Sequence, residues 1–149
     1  MKSIESLLAE SASGNYAEVL EVVLAGFGCV TGTIHRLNPD SQLLELKAQQ
    51  GVPEFLIEKI AKIPLGKGIA GAAGEQRAPV QMCNLQTDTS GVARPDAKKT
   101  QVAGSLAVPI LDGDQLKGTL GIGMREPYDF NPNEVALLDS VANWLAPKM

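Results

Sequence analysis

The chain of 149 residues carries a formal net charge of −4 at pH 7, with 44% hydrophobic and 20% charged residues. This length suits one domain that buries about 68–70% of its unfolded surface, and the composition excludes a disordered tail or a membrane-embedded protein. The acidic balance, with no basic cluster beyond Lys98-Lys99, argues against nucleic acid or an anionic membrane as a partner.

Cysteine and histidine are too scarce for most metal and redox chemistry. The two cysteines, Cys29 and Cys83, form no CxxC pair, and His35 is the single histidine. The N-terminal segment has acidic residues and no continuous apolar run, so it does not resemble a secretory signal. We therefore expect a reduced, cytoplasmic protein without a bound metal ion, and the sequence indicates no particular cofactor.

The N-terminal region of the chain has the apolar periodicity of helices. Apolar residues recur at helical spacing on both sides of Ser13-Gly14, which predicts a helical arm over residues 1–14 and a second helix that begins at Asn15. A further short helix is predicted over residues 53–61, where Pro53 suits a first-turn position.

A β-hairpin is predicted between these helices. Residues 29–37 and 43–50 form two strand-like segments around the turn-forming sequence Asn-Pro-Asp-Ser. Cys29 opens the first strand and is predicted to be buried. Because side chains alternate along a strand, one face of this strand is half polar. That face carries Thr31, Thr33, His35 and Leu37.

The middle of the chain is rich in glycine and then in polar residues. A helix is predicted from about Ile69 to Gln76, followed by a short strand over residues 79–83. The next 20 residues, 84–103, have no clear periodicity. Connections of this length in compact domains are usually functional or mobile.

A second hairpin and a helix complete the chain. Two apolar strands flank Asp112-Gly113-Asp114, and Pro109 predicts a bulge or an unpaired position because it lacks an N–H group. Asn131 as N-cap with Glu134 at the third helical position predicts a helix that ends near Ala146. Its apolar residues form two adjoining stripes, enough to cover a sheet and also meet a second helix.

The element order predicts an α+β fold with mainly antiparallel strands. Four blocks in this order resemble the GAF domain, a small sensory module related to PAS domains: LNPDSQLLELKAQQGVP, IPLGKGIAGAAGEQRAPV, SLAVPILDGDQLKGTLGIG and YDFNPNEVALLDSVANWLA. The resemblance implies one domain, with a core over residues 15–146 after the arm over 1–14. It implies a central antiparallel six-stranded sheet with the terminal helices on one face and a lidded pocket on the other.

The glycine-rich segment is a literal GxGxxG motif, from Gly66 to Gly71, and Asp88 lies 20 residues after Gly68. A dinucleotide site needs a parallel βαβ unit around this motif, whereas antiparallel hairpins are predicted here. We therefore favour glycines that allow close packing of helix and sheet. Exposed N–H groups at the helix start remain an alternative site for an anionic ligand group.

His35 and Cys83 have alternative interpretations. For His35 we favour an ordinary surface or half-buried side chain over an isolated metal or haem ligand. Cys83 is either an inert small apolar residue or a thiol that contacts a ligand. No serine or threonine has an evident base partner, so the sequence offers no catalytic nucleophile.

The resemblance places a pocket lid over the polar stretch, where Arg94 is the best candidate to hold a carboxylate or phosphate. The predicted ligand-binding residues are Gly68, Ile69, Cys83, Asp88, Arg94, Asp96, Thr100, Gln101 and Ser105. GAF domains often form dimers through their terminal helices. The predicted dimer contacts are Leu137, Val141 and Trp144.

Three functional subfamilies are distinguished by residue. Free methionine sulfoxide reductases resemble this chain, but they carry a cysteine where Ala70 stands and another in the lid loop, which has none from Asn84 onward. The Asn-Lys pair of cyclic-nucleotide-binding members is replaced by Gly123-Met124-Arg125, and the Cys-His pair of bilin-binding members is missing. The resemblance therefore favours a non-catalytic sensory domain that binds a small metabolite or anion as a homodimer. The alternative is an interaction module without a ligand.

Overall fold

The computed structural model describes residues 16–82 and 103–149. The predicted arm over residues 1–14, the predicted cap at Asn15 and the polar stretch over residues 84–102 lie outside the described residues.

The described elements follow the predicted order. The helices are α1 (Tyr16–Phe27), α2 (Glu54–Ile60), α3 (Gly68–Gln76) and α4 (Pro132–Leu145), and a 3-10 turn covers Ala146–Lys148. The strands are β1 (Thr31–Leu37), β2 (Leu43–Gln50), β3 (Lys62–Pro64), β4 (Val80–Met82), β5 (Ser105–Asp112) and β6 (Gln115–Gly123).

All six strands form one antiparallel sheet in the order β3-β2-β1-β6-β5-β4. This arrangement confirms the predicted α+β architecture with a six-stranded antiparallel sheet. The strands β5 and β6 come from the second predicted hairpin and lie between β1 and β4.

The irregularity predicted at Pro109 lies slightly further along β5. Pro109 is paired with Thr119, and the register shifts between Ile110 and Leu111. The pairing of β4 with β5 reaches only Ala107. At Pro109 that side of β5 therefore has no strand neighbour, and the missing N–H is tolerated there.

The main hydrophobic core fills the space between one face of the sheet and the helices α1 and α4. The buried stripe of α1 consists of Val19, Leu20, Val23 and Leu24, and that of α4 of Leu138, Val141, Ala142 and Leu145. These side chains pack on Ile34, Leu106, Val108, Ile110, Leu120 and Ile122 from the sheet. The terminal helices thus share one face, as the resemblance implied.

The start of α4 is held by the predicted cap. The Glu134 N–H donates to Asn131 Oδ1 at 2.9 Å, and the Asn131 N–H donates to Glu134 Oε1 at 3.0 Å. The Tyr128 hydroxyl also donates to the Glu134 carboxylate, 2.7 Å from Oε2. This capping box satisfies two backbone donors that the helix itself leaves unpaired.

Candidate functional site

The opposite face of the sheet carries small and hydroxyl-bearing residues. In the register, Thr33 lies opposite Gly121 and Gly121 opposite Ala107, while Thr31 and Ser105 both lie opposite Gly123. Residues directly opposite each other project to the same side of an antiparallel sheet. We call these residues the sheet floor: Thr31, Thr33, Ser105, Ala107, Gly121 and Gly123.

The sheet floor leaves space at Gly121. A Cβ atom added to Gly121 would lie 3.2 Å from Thr33 Oγ1 and 3.8 Å from the Leu106 carbonyl oxygen, with no other contact within 4 Å from the described residues. Both neighbours belong to the sheet itself. Apart from the Thr33 hydroxyl, no described side chain therefore comes within 4 Å of this Cβ position.

A buried polar pair lies on the same face, beside the sheet floor. His35 and Thr119 are paired across β1 and β6, and each is 1% exposed. The His35 ring nitrogen Nε2 lies 2.9 Å from the Ile60 carbonyl oxygen, which can only accept, so Nε2 carries the proton. His35 Nδ1 and Thr119 Oγ1 have no hydrogen-bond partner within the described part of the chain.

The prediction of a surface or half-buried His35 is therefore wrong. Alternation identified the polar face of β1 correctly, but the ring is buried there and meets the carbonyl of Ile60, the last residue of α2. Burial lowers the pKa of His35, although its bond to the Ile60 carbonyl works in the opposite direction. The imidazole is thus a neutral group that offers one unused acceptor at Nδ1.

Helix α3 lies over the same face, and its glycines have a packing role. An added Cβ at Gly71 would lie 2.6 Å from the Pro64 carbonyl oxygen, closer than real Cβ atoms come. At Gly74 it would lie 3.6 Å from Thr119 Cγ2, so α3 sits directly on β6. These contacts, in an entirely antiparallel sheet, support the packing interpretation of the GxGxxG segment and rule out the dinucleotide fold around it.

Three of the predicted ligand-binding residues are described. Gly68 and Ile69 form the half-buried start of α3, and Ser105 belongs to the sheet floor, where its hydroxyl lies 3.5 Å from the Ile122 carbonyl oxygen. They share one face of the sheet. Cys83, Asp88, Arg94, Asp96, Thr100 and Gln101 lie outside the described residues.

One of the predicted dimer contacts belongs to the core instead. Val141 is 0% exposed in the single chain and packs against the sheet, so it has no surface for a partner. Leu137 and Trp144 are partly buried at the edge of the same core. The Lys148 ammonium lies 4.2 Å from the centre of the Trp144 ring. The second stripe of α4 therefore serves both the core and the surface.

Cys29 is an unreactive thiol in this environment. It lies just before β1 rather than in a strand, and it is partly rather than fully buried, which corrects the prediction made for it. Loss of solvation and the nearby Glu134 carboxylate raise the pKa of Cys29 to about 12. A thiol with so high a pKa carries almost no thiolate at neutral pH and is a poor nucleophile.

Residues 16–82 and 103–149 contain no cluster of three His, Cys, Asp or Glu side chains that would hold a metal ion. None of the helices in these two segments is long and apolar enough to cross a membrane.

Most residues of this face, among them Thr119 and Gly121 of β6, were not among the predicted site residues. Their signal was present in β6, where Thr119, Gly121 and Gly123 alternate with Leu120 and Ile122. This alternation predicts one apolar face and one face of small residues. Small residues on a buried face indicate that something approaches the sheet closely.

Known proteins share this fold. Residues 15–146 match the family model of the GAF domain. No protein of curated function matches the chain in sequence.

Several solved structures share the fold. The GAF domain of a phosphoenolpyruvate-protein phosphotransferase from Coxiella burnetii is 21% identical with a TM-score of 0.82, over 97% of this chain and 88% of that chain. The corresponding domain from Acinetobacter is 18% identical with a TM-score of 0.81 and the same coverage, 97% and 88%. A free methionine-R-sulfoxide reductase from Neisseria meningitidis, in complex with its substrate, is 20% identical with a TM-score of 0.78, over 97% of this chain and 83% of that chain. With a family model that spans most of its length and the fold described above, the chain belongs to the GAF domain family.

Proposed function

We propose that this GAF domain is a non-catalytic sensory module that binds a small metabolite over the sheet floor, in the cytoplasm. Binding is reported through a homodimer or through a partner protein. Family membership supports a sensory or regulatory role in general. The ligand, the dimer and the absence of catalysis are the specific parts of the proposal.

The observation that carries the proposal is a set of unused polar groups on the face of the sheet that carries Gly121. No described side chain other than Thr33 comes within 4 Å of a Cβ at Gly121, and buried His35 Nδ1 and Thr119 Oγ1 lack partners among the described residues. Buried polar groups are nearly always hydrogen-bonded, and exceptions call for an ordered water or a ligand. A face that served only for packing would carry larger apolar residues at these positions.

The proposed ligand is polar and presents at least one N–H or O–H group. His35 Nδ1 can only accept because Nε2 holds the proton, whereas a threonine hydroxyl donates or accepts. No aspartate, glutamate, lysine or arginine belongs to the sheet floor. Any charged contact to the ligand is therefore expected from the predicted lid residues, with Arg94 as the candidate for an anionic group.

A reductase activity is the competing proposal, because free methionine-R-sulfoxide reductases are among the similar structures. Ala70 stands at the position where the resemblance implies a cysteine. The resemblance to these reductases also implies acidic residues on the strand that here reads Gly121-Ile122-Gly123. The described cysteine, Cys29, has a strongly raised pKa. Thiol chemistry on this chain is therefore not favoured.

An interaction module without a ligand remains the second candidate. The partly exposed Leu137 and Trp144 on α4 favour it, since aromatic side chains are enriched in protein interfaces. This candidate needs no free volume over the sheet floor.

Native mass spectrometry of the protein purified from its host cytoplasm tests the proposal. We expect a dimer that carries a small-molecule adduct, which is lost on denaturation and gives the ligand mass. A dimer without an adduct, even after incubation with a metabolite extract, would contradict the sensory proposal in favour of the interaction module. Turnover of methionine sulfoxide with a thiol reductant would contradict the non-catalytic assignment.

A further inference from the structure

A second concave surface lies away from the sheet floor. It is an open groove of about 690 Å³ between the β1–β2 turn, the end of α3 and the β5–β6 turn. Its apolar base is formed by Leu37, Leu65 and Leu116 beside Gly74. An added Cβ at Gly74 would lie 2.9 Å from Leu65 Cδ2 and 3.4 Å from Leu116 Cδ2, so these two leucines lie directly against α3. We call this surface the turn groove.

Backbone strain in the described residues is concentrated at the turn groove. Among non-glycine residues of residues 16–82 and 103–149, only Gln42 and Arg77 have a positive φ, 59° and 55°. Both line the turn groove. A left-handed backbone conformation is usually found at glycine or asparagine. Arg77 occupies the end of α3, the helix position where glycine is most common.

The side chains at these two positions are held in place. The Gln42 amide nitrogen donates to the Pro39 carbonyl oxygen at 2.9 Å. The Arg77 guanidinium donates to the Asp114 carbonyl oxygen and thereby links the end of α3 to the β5–β6 turn. This bond goes to the backbone carbonyl of Asp114 and uses one of the five N–H groups of the guanidinium, so most of its donors remain for another group. Strained residues with a positioned side chain point to a binding role.

The rim of the turn groove is positively charged in an acidic protein. Arg36, Arg77 and Lys117 contribute three cations, against the carboxylates of Glu75 and Asp114, while the whole chain has a net charge of −4. Arg36 and Lys117 have no ion-pair partner in the described part of the chain. The Glu75 carboxylate lies over Gly66, against the loop that precedes α3.

We propose that the turn groove binds a small organic anion, with an apolar body against Leu37, Leu65 and Leu116 and an acidic group at Arg77 and Lys117. The volume falls within the range of about 300–1,000 Å³ that is usual for small-molecule sites. The planar arginine fork suits a carboxylate or a phosphate ester equally, so the acidic group is one of these two. This site is independent of the proposed metabolite site on the sheet floor.

Three matched naphthalene ligands test the proposal: 1-naphthoate, 1-naphthyl phosphate and the neutral 1-naphthylmethanol. Each is titrated into the ¹⁵N-labelled protein, and the amide shifts of the turn groove are followed by NMR at constant ionic strength. We expect saturable shifts at these residues with at least one anion, at an affinity at least about tenfold above that of the alcohol. A preference for naphthoate assigns a carboxylate ligand, and a preference for naphthyl phosphate assigns a phosphate ester.

Variants attribute the binding to named groups. Arg77→Gly removes the guanidinium and also the left-handed strain, so the protein is expected to stay folded while anion affinity falls about tenfold or more. Lys117→Gln tests the second cation. Arg125→Gln removes an exposed cation outside the turn groove and is the matched control, with unchanged affinity expected. Gly121→Val alters only the sheet floor and is expected to leave this binding intact, which separates the two proposals.

The proposal is overturned if neither anion gives saturable shifts at the turn groove, or if the alcohol binds as tightly as the anions. Equal losses of affinity in Arg77→Gly, Lys117→Gln and Arg125→Gln would also overturn it, because they would indicate only the net charge of the protein.

Discussion

His35 illustrates how a single buried residue sets a pH dependence. Burial lowers its pKa in the folded protein below the ordinary value of 6.5. As the pH falls below 6.5, the unfolded chain therefore takes up a proton that the folded protein refuses. The contribution of His35 to the free energy of unfolding is therefore full above pH 6.5. It decreases as the pH falls toward the pKa of His35 in the folded protein. The slope is at most about 1.4 kcal/mol per pH unit.

Urea unfolding at pH 7.5 and at pH 5.5 measures this loss. His35→Gln is the matched control, because an amide can donate to the Ile60 carbonyl without titrating. The control is expected to lose less stability than the wild-type protein between the two pH values. Since His35 is the single histidine, equal losses in both proteins would contradict a buried neutral imidazole.

Cys29 gives a second prediction for one residue. Its pKa of about 12 leaves far less thiolate at pH 8 than the ordinary cysteine pKa of 9.0 does. The higher nucleophilicity of such a thiolate offsets part of this, so alkylation is expected to be on the order of 50-fold slower than in the unfolded chain. Iodoacetamide labelling of a Cys83→Ser variant, with and without urea, measures the ratio. Equal rates would show that Cys29 is an accessible, reactive thiol.

At the scale of single elements, the capping box of α4 is the clearest local determinant. Asn131→Ala removes the acceptor for the Glu134 N–H, and we expect a loss of about 1 kcal/mol in the free energy of unfolding. Asn143→Ala, at an exposed interior position of the same helix, is the matched control and is expected to be neutral or slightly stabilising. Thermal or chemical unfolding of both variants checks this. An equal effect of the two substitutions would contradict a specific capping role.

Local features of this fold are predictable from the sequence, whereas contacts between distant segments are not. The start of α4 was predictable because the Asn131 cap and its partner Glu134 are three residues apart. The burial of His35 was not predictable, because the carbonyl group that accepts its hydrogen bond belongs to Ile60, which lies 25 residues away at the end of α2. Alternation assigns a residue to a face of the sheet, but only tertiary structure decides what packs on that face. The face of small residues on β6 follows from the alternation in its sequence, but the predicted ligand-binding residues do not include any residue of β6.

At the scale of the whole molecule, α4 divides its apolar residues between the core and the surface. Val141→Ala is expected to destabilise the protomer by roughly 2 kcal/mol, since Val141 is fully buried. In the proposed homodimer, Trp144→Ala is expected to weaken dimerisation by about tenfold or more, because buried aromatic residues often dominate interfaces. Sedimentation equilibrium measures the dimer, and unfolding experiments measure the protomer. An unchanged dimer in Trp144→Ala would remove Trp144 from the interface.

The central claim is that a metabolite binds over the sheet floor. The most direct measurement compares the small molecules that co-purify with the wild-type protein and with Gly121→Val, released by denaturation and quantified by mass spectrometry. Valine at this position fills the space next to Thr33, whereas Ala136→Val changes an exposed position on α4 and serves as the control. We predict one compound near stoichiometric amounts in the wild-type protein and the control, and its loss in Gly121→Val. Equal retention in all three proteins would place the ligand elsewhere and contradict the claim.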